Sequence, residues 1–187
     1  MNTTNNRLVK ASFLGASLIG ILALAACSTA PPTPAGKSDL RDSSADALNQ
    51  AQQNDPSLRD IIQASSGYAV FPSVGKGAIG IGGAYGKGDV YQNGAVVGYC
   101  DMTQGSIGVQ LGGQDYVEIL VFQNPEAVQR FENGNFTFDA QATAVAVKSG
   151  AGANAKFENG VAVFTMAEAG LMYEAAVGGQ NFAYQAR

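Results

Sequence analysis

Residues 76–88, KGAIGIGGAYGKG, carry six glycines in thirteen positions, and they restrict the fold more than any other stretch. Glycine costs about 1 kcal/mol per position inside a helix relative to alanine, so this segment neither starts nor continues one. Read at the two-residue period of a strand, Ala78, Gly80, Gly82, Ala84, Gly86 and Gly88 point one way, and Ile79, Ile81, Gly83, Tyr85 and Lys87 the other. One face is almost bare of side chains. The pattern returns at Ala140, Ala142, Ala144 and Ala146, opposed by Thr143, Val145 and Val147. A bare strand face admits close approach of a helix, of the opposing wall of a tightly curved sheet, or of a flat or linear ligand such as an acyl chain. Sheet curvature with helix packing, and a ligand groove, both fit the pattern.

A phosphate loop does not. The Walker spacing requires Gly and Ser or Thr where Ile81 and Gly88 stand. Residues 75–80, GKGAIG, match the dinucleotide fingerprint, but that fingerprint works only where a helix opens inside it and offers its N-terminus to the pyrophosphate. No cofactor is expected.

Beyond Gly67 the chain consists of short β-branched and aromatic runs, YAVFPSV, VYQNGAVVGYC, SIGVQL, YVEILVF, ATAVAV, GVAVFTM and LMYEAAV, separated by Gly and Asn. One helix interrupts them in NPEAVQRFENG, where Asn124 is the cap, Pro125 the first helical residue, Glu126 the first-turn acid and Gly134 the stop. Upstream, from residue 38 to 65, Leu40, Ala47, Leu48 and Ala51 keep a helical spacing, and Asp55 followed by Pro56 opens a second helix carrying Leu58, Ile61 and Ile62. The expected class is α+β: a mostly antiparallel sheet or small barrel, with N-terminal helices and one internal helix packed on it.

The first 26 residues read as a secretory signal, with Arg7 and Lys10 ahead of an apolar run too short for the ~20 residues of a spanning helix. Residues 24–27, LAAC, match the lipobox of bacterial lipoproteins, which makes Cys27 the expected acyl anchor and the first residue of the processed chain. Two or three acyl chains anchor stably where one is marginal. Ser28 follows the cysteine, so the expected location is the envelope, lipid-anchored at the outer membrane. Residues 27–37, rich in Pro, Ser and Thr, read as a semi-extended tether reaching up to ~30 Å, and residues 38–187 as one domain. Without its leader the chain has a net charge of −6, which argues against nucleic acid and against a general attraction to anionic lipid.

The chain has no histidine, which removes Ser-His-Asp and Cys-His catalysis and the usual zinc sites. Cys100 is the one thiol besides Cys27 and reads as a small core residue. Ser73 and Lys76 have the S-x-x-K spacing of penicillin-recognising enzymes, but Ser73 follows Pro72 at a strand end, where that serine must open a helix. No catalytic residue, metal site or small-molecule substrate is expected.

Four blocks together carry a family resemblance: GYAVFPSVGKGAIGIGGAYGKGDVY, GYCDMTQGSIGVQLGGQDYVEILVF, FTFDAQATAVA and GVAVFTMAEAGLMYEAAVGGQNF. They resemble the SYLF domain, a lipid-binding domain of bacterial lipoproteins and of yeast and animal SH3-domain proteins of the actin cortex. The resemblance runs from about residue 40 to the C-terminus and implies a non-enzymatic domain that contacts membrane lipids. Eukaryotic members use a basic N-terminal segment on phosphoinositides; here Arg41 and Arg59 stand against Asp39, Asp42, Asp46, Asp55 and Asp60, a departure from that pattern. The candidate lipid-contacting residues are Ile79, Ile81, Tyr85 and Lys87, with Lys87 reaching a head group. An envelope protein partner on the same surface, with Cys27 as the sole membrane contact, is the other expectation.

Overall fold

The computed structural model describes residues 28–76, 83–105, 115–134, 136, 138, 144–167 and 179–187. Two helices come first, α1 (Pro34–Asn54) and α2 (Ser57–Ala64), followed by strands β1 (Gly67–Lys76), β2 (Gly83–Gln92), β3 (Ala95–Gly105) and β4 (Tyr116–Phe122). Helix α3 (Pro125–Glu132), a two-residue strand β5 (Val145–Ala146), a 3₁₀ turn (Gly152–Asn154), β6 (Val161–Ala167) and β7 (Gln180–Ala186) complete the described elements. The strands form one sheet in the order β5-β6-β4-β1-β2-β3-β7, antiparallel throughout except that β5 runs parallel to β6. The α+β class is as expected from the sequence.

This sheet is open but strongly rolled. Four strand steps separate β4 from β7, about 19 Å on a flat sheet at ~4.8 Å per step, yet Gln180 Nε2 of β7 donates to Glu118 Oε2 of β4 at 2.9 Å. The rings of Phe71 in β1 and Phe182 in β7 likewise lie 6.0 Å apart. The inner face of the roll holds Phe71, Met102, Leu120, Phe122 and Phe182, and α3 contributes Ala127, Val128 and Phe131 to it. On the outer face, α1 and α2 place Ala47, Ala51 and Leu58 against Val70, Tyr91, Val117, Ile119 and Phe164.

Bulges and glycines explain the curvature. The register of β1 slips between Val70 and Ser73 against β2, and between Phe71 and Val74 against β4. Pro72 falls in that bulge, the place where a central strand tolerates a residue with no N–H. Opposite it, a Cβ on Gly88 would lie 2.5 Å from the Val70 carbonyl oxygen and 2.9 Å from the Phe71 ring. Ala84, Gly86 and Gly88 are all buried. In the described part of the strand, therefore, the bare face is occupied by the protein's own side chains, and of the two sequence readings curvature and packing apply there. Residues 77–82 and 140–143 lie outside the described residues.

The helix ends follow their sequence signals. Asn124 accepts from the Ala127 amide at 2.9 Å and Pro125 opens α3. Asp55 binds the start of α2, with Oδ1 accepting from the Ser57 amide at 3.1 Å and hydroxyl at 2.6 Å. It also reaches the 3₁₀ turn, where the amides of Gly150 and Gly152 donate at 3.0 and 2.6 Å. Burial alone would raise the Asp55 carboxyl, but these bonds outweigh it and hold it below the usual carboxylate value.

At the N-terminus the structure differs from the sequence reading. Helix α1 begins at Pro34, four residues before the expected start, because Thr33 accepts from the Gly36 amide at 3.0 Å and caps it. Residues 28–31 do not extend as a tether: Thr29, Ala30 and Pro31 are buried against the sheet.

Candidate functional site

The alternation that buries Ala84, Gly86 and Gly88 turns Tyr85 and Lys87 to the outer face of β2, where both are half-buried. Two rows of side chains cross three strands there. Tyr85 of β2 pairs with Thr103 of β3, and Thr103 with Asn181 of β7; one step along, Lys87 pairs with Asp101, and Asp101 with Ala183. Helix α1 covers the neighbouring part of this face, where Lys37 Nζ sits 5.3 Å from the Tyr99 ring centroid.

Lys87 is the centre of the site. Its Nζ donates to Asp101 Oδ1 at 2.9 Å, to the Thr29 carbonyl at 3.0 Å and to the Ser28 carbonyl at 3.3 Å. It lies 5.8 Å from the Tyr85 ring centroid, within cation–π range. Burial alone would lower the Lys87 ammonium, but the hydrogen bond to Asp101, the contact with Tyr85 and the Asp101 charge outweigh it, so Lys87 titrates above its usual value. The second hold on residues 28–31 is Gln185 of β7, whose Oε1 accepts from Ser28 Oγ at 3.0 Å and from the Ala30 amide at 3.1 Å. Lys87 thus spends its donors on the chain's own N-terminal segment and on Asp101.

Of the residues singled out in the sequence, Tyr85 and Lys87 come together here; Cys27, Ile79 and Ile81 lie outside the described residues. The sequence reading missed Asp101, Thr103, Asn181 and Gln185. Asn93 and Gly94, with φ of 50° and 74°, form the tight turn between β2 and β3. A hairpin without irregularity about that turn would set Lys87 opposite Cys100. A bulge beside Tyr91 shifts the register by one, so Asp101 is the partner.

Further polar side chains are buried among the described residues. Glu118, on the inner face, has no partner for Oε1, and Thr165 Oγ1 on the neighbouring strand and Gln180 Oε1 have none either. Burial pushes the Glu118 carboxyl up to about 7, against the opposing pull of Gln180 and Tyr116. Beneath α1, Asp89 is likewise raised by burial, more than the Ser44 hydroxyl and the charges of Arg41 and Arg187 lower it. Cys100 is fully buried and its thiol is pushed well up, first by burial and then by nearby carboxylates. Among the described residues no group of three or more His, Cys, Asp or Glu side chains is placed to hold a metal ion. No described helix is long and apolar enough to cross a membrane.

The family model described as "Ysc84: Las17-binding protein actin regulator" matches residues 103–186. Over residues 103–186 the chain is therefore similar to the Ysc84, or SYLF, family. No curated protein matches the chain. The SYLF match takes in β4, α3, β5, β6 and β7, whereas β1 and β2 precede it. Yet β1 is hydrogen-bonded between β2 and β4 at the centre of the same sheet. The SYLF portion and the glycine-rich strands are therefore parts of one fold, and the Lys87–Asp101 site sits where they meet, at the start of the match.

Proposed function

We propose that this chain is a non-enzymatic, lipid-anchored protein of the bacterial envelope whose SYLF domain binds phospholipid membranes. The observation that carries the reading is the SYLF match over residues 103–186, a family associated with lipid binding and protein interaction. The lipobox at residues 24–27 supports Cys27 as the anchor. Because the described glycine face is packed internally, lipid contact falls on the outer face around Tyr85 and Lys87, not in a groove. Lys87 is already paired with Asp101, so contact there does not depend on a free cation.

Co-sedimentation of residues 28–187 with neutral and anionic vesicles, at low and moderate salt, tests this. Binding to neutral vesicles that survives salt is the expected result. Binding lost in salt would assign it to residual electrostatics. No binding would leave acylated Cys27 as the membrane contact and move the surface to an envelope protein partner.

A further inference from the structure

If Cys27 is the anchor, the way residues 28–31 leave it decides how the domain sits on the membrane. An extended tether of residues 28–37 would let the domain turn freely up to ~30 Å from the bilayer. The geometry removes that freedom. Lys87 grips the carbonyls of Ser28 and Thr29, Gln185 grips Ser28 and Ala30, and Thr29, Ala30 and Pro31 are buried. Consecutive Cα atoms are ~3.8 Å apart, so the backbone of residue 27 is one such step from Ser28. An acyl group on Cys27 would therefore join the bilayer beside the outer face of β2, β3 and β7.

The chemistry of that face fits a phospholipid head-group layer. Lys87 and Asp101 cancel each other's charge at 2.9 Å. Thr103 and Asn181 are exposed and supply uncharged donors and acceptors, and Tyr85 is an aromatic ring with a polar tip, of the kind found at membrane interfaces. Ala183 is exposed and adds no bulk.

We propose that residues 28–31 are a strap that fixes the domain against the bilayer, with the rows Tyr85, Thr103, Asn181 and Lys87, Asp101, Ala183 facing phospholipid head groups. The proposal rests on the reading of Cys27 as an acyl anchor and adds to it a defined orientation.

The test uses the full, processed chain reconstituted in phosphatidylethanolamine vesicles containing a lipid spin-labelled at its head group. A fluorophore is attached through Thr103→Cys, or through Glu126→Cys at the start of α3 on the far side of the sheet. Cys100 is buried with a raised thiol pKa and does not compete for the label. The fluorophore at 103 is expected to lose most of its emission, and that at 126 to keep most of it. Adding Gln185→Ala, an exposed position, or Lys87→Ala with Gln185→Ala, is expected to erase the difference while the circular dichroism spectrum stays that of the folded chain. Equal quenching at both positions with Cys27 acylated would overturn the strap and leave the anchor standing, as would a difference that persists in the folded variants. Mass spectrometry of the N-terminal peptide reads the anchor separately; an unmodified Cys27 would overturn both.

Discussion

At the corner between α1 and α2, the Asp55 carboxylate accepts four hydrogen bonds, two from Ser57 and one each from the amides of Gly150 and Gly152. Hydrogen bonds to a charged group are worth about 1.5–3 kcal/mol each, and removing the acceptor leaves the buried Gly152 amide and the half-buried Ser57 and Gly150 amides without that partner. Asp55→Ala is accordingly expected to cost about 3 kcal/mol, read as a lower urea midpoint at unchanged slope. The pH dependence has a definite sign. Because the folded carboxyl titrates below 3.8, the usual value, its contribution is fully present above that pH and is lost as pH falls through the lowered folded value. In the Asp55→Ala chain this part of the acid-unfolding limb should vanish. The sequence displays half of the arrangement: Asp55 and Pro56 mark a helix start, but nothing near them names Gly150 and Gly152, which lie nearly a hundred residues away.

Strand β2 is the element on which sequence and structure agree best and then part. Period two separates Gly86 and Gly88 from Tyr85 and Lys87 without knowledge of the fold, and the burial pattern follows it. What fills the bare face is not legible, because the Phe71 ring and the Val70 carbonyl reach it only through a bulge at Pro72. The bulge beside Tyr91 is equally silent, so the sequence does not mark Asp101 as the partner of Lys87. Strand β7 escaped notice altogether: QNFAYQA has no β-branched residue, and its period-two signal rests on Phe182 and Tyr184 alone. Residues 28–31 have the composition of a linker, and nothing near them shows that Lys87 and Gln185, far along the chain, hold residues 28–30 or that residues 29–31 are buried. A glycine pair tests the packing argument. Gly88→Ala, whose Cβ would meet backbone at 2.5 Å, is expected to destabilise by about 2 kcal/mol through overpacking. Gly105→Ala, with nothing within 4 Å, should be neutral or slightly stabilising, as expected where only unfolded-state entropy changes. Equal melting temperatures for the two variants would show that the bare face is not tightly filled.

For the molecule as a whole, the rolled sheet brings β4 and β7 together through Glu118 and Gln180, and the carboxyl that does so is held in an apolar interior. Burial pushes Glu118 up to about 7 from its usual 4.5. Between those values the folded chain keeps a proton that the unfolded chain has released, so stability is greatest on the acid side and falls as pH rises through the window. From pH 5 to pH 8 the loss is on the order of 2–3 kcal/mol, a fall in melting temperature of roughly 5–10 °C for a chain of this size. Asp89, also raised by burial, acts in the same direction, and so does the net negative charge, which grows with pH. Glu118→Gln separates these contributions: it keeps a similar shape and an acceptor for Gln180 but has no proton to lose. That variant should match the parent near pH 5, melt above it at pH 8, and retain only the shallower slope left by Asp89 and net charge. A parent whose melting temperature is flat or rises between pH 5 and pH 8 would mean that Glu118 is ionised in the fold and that water reaches the inner face of the roll.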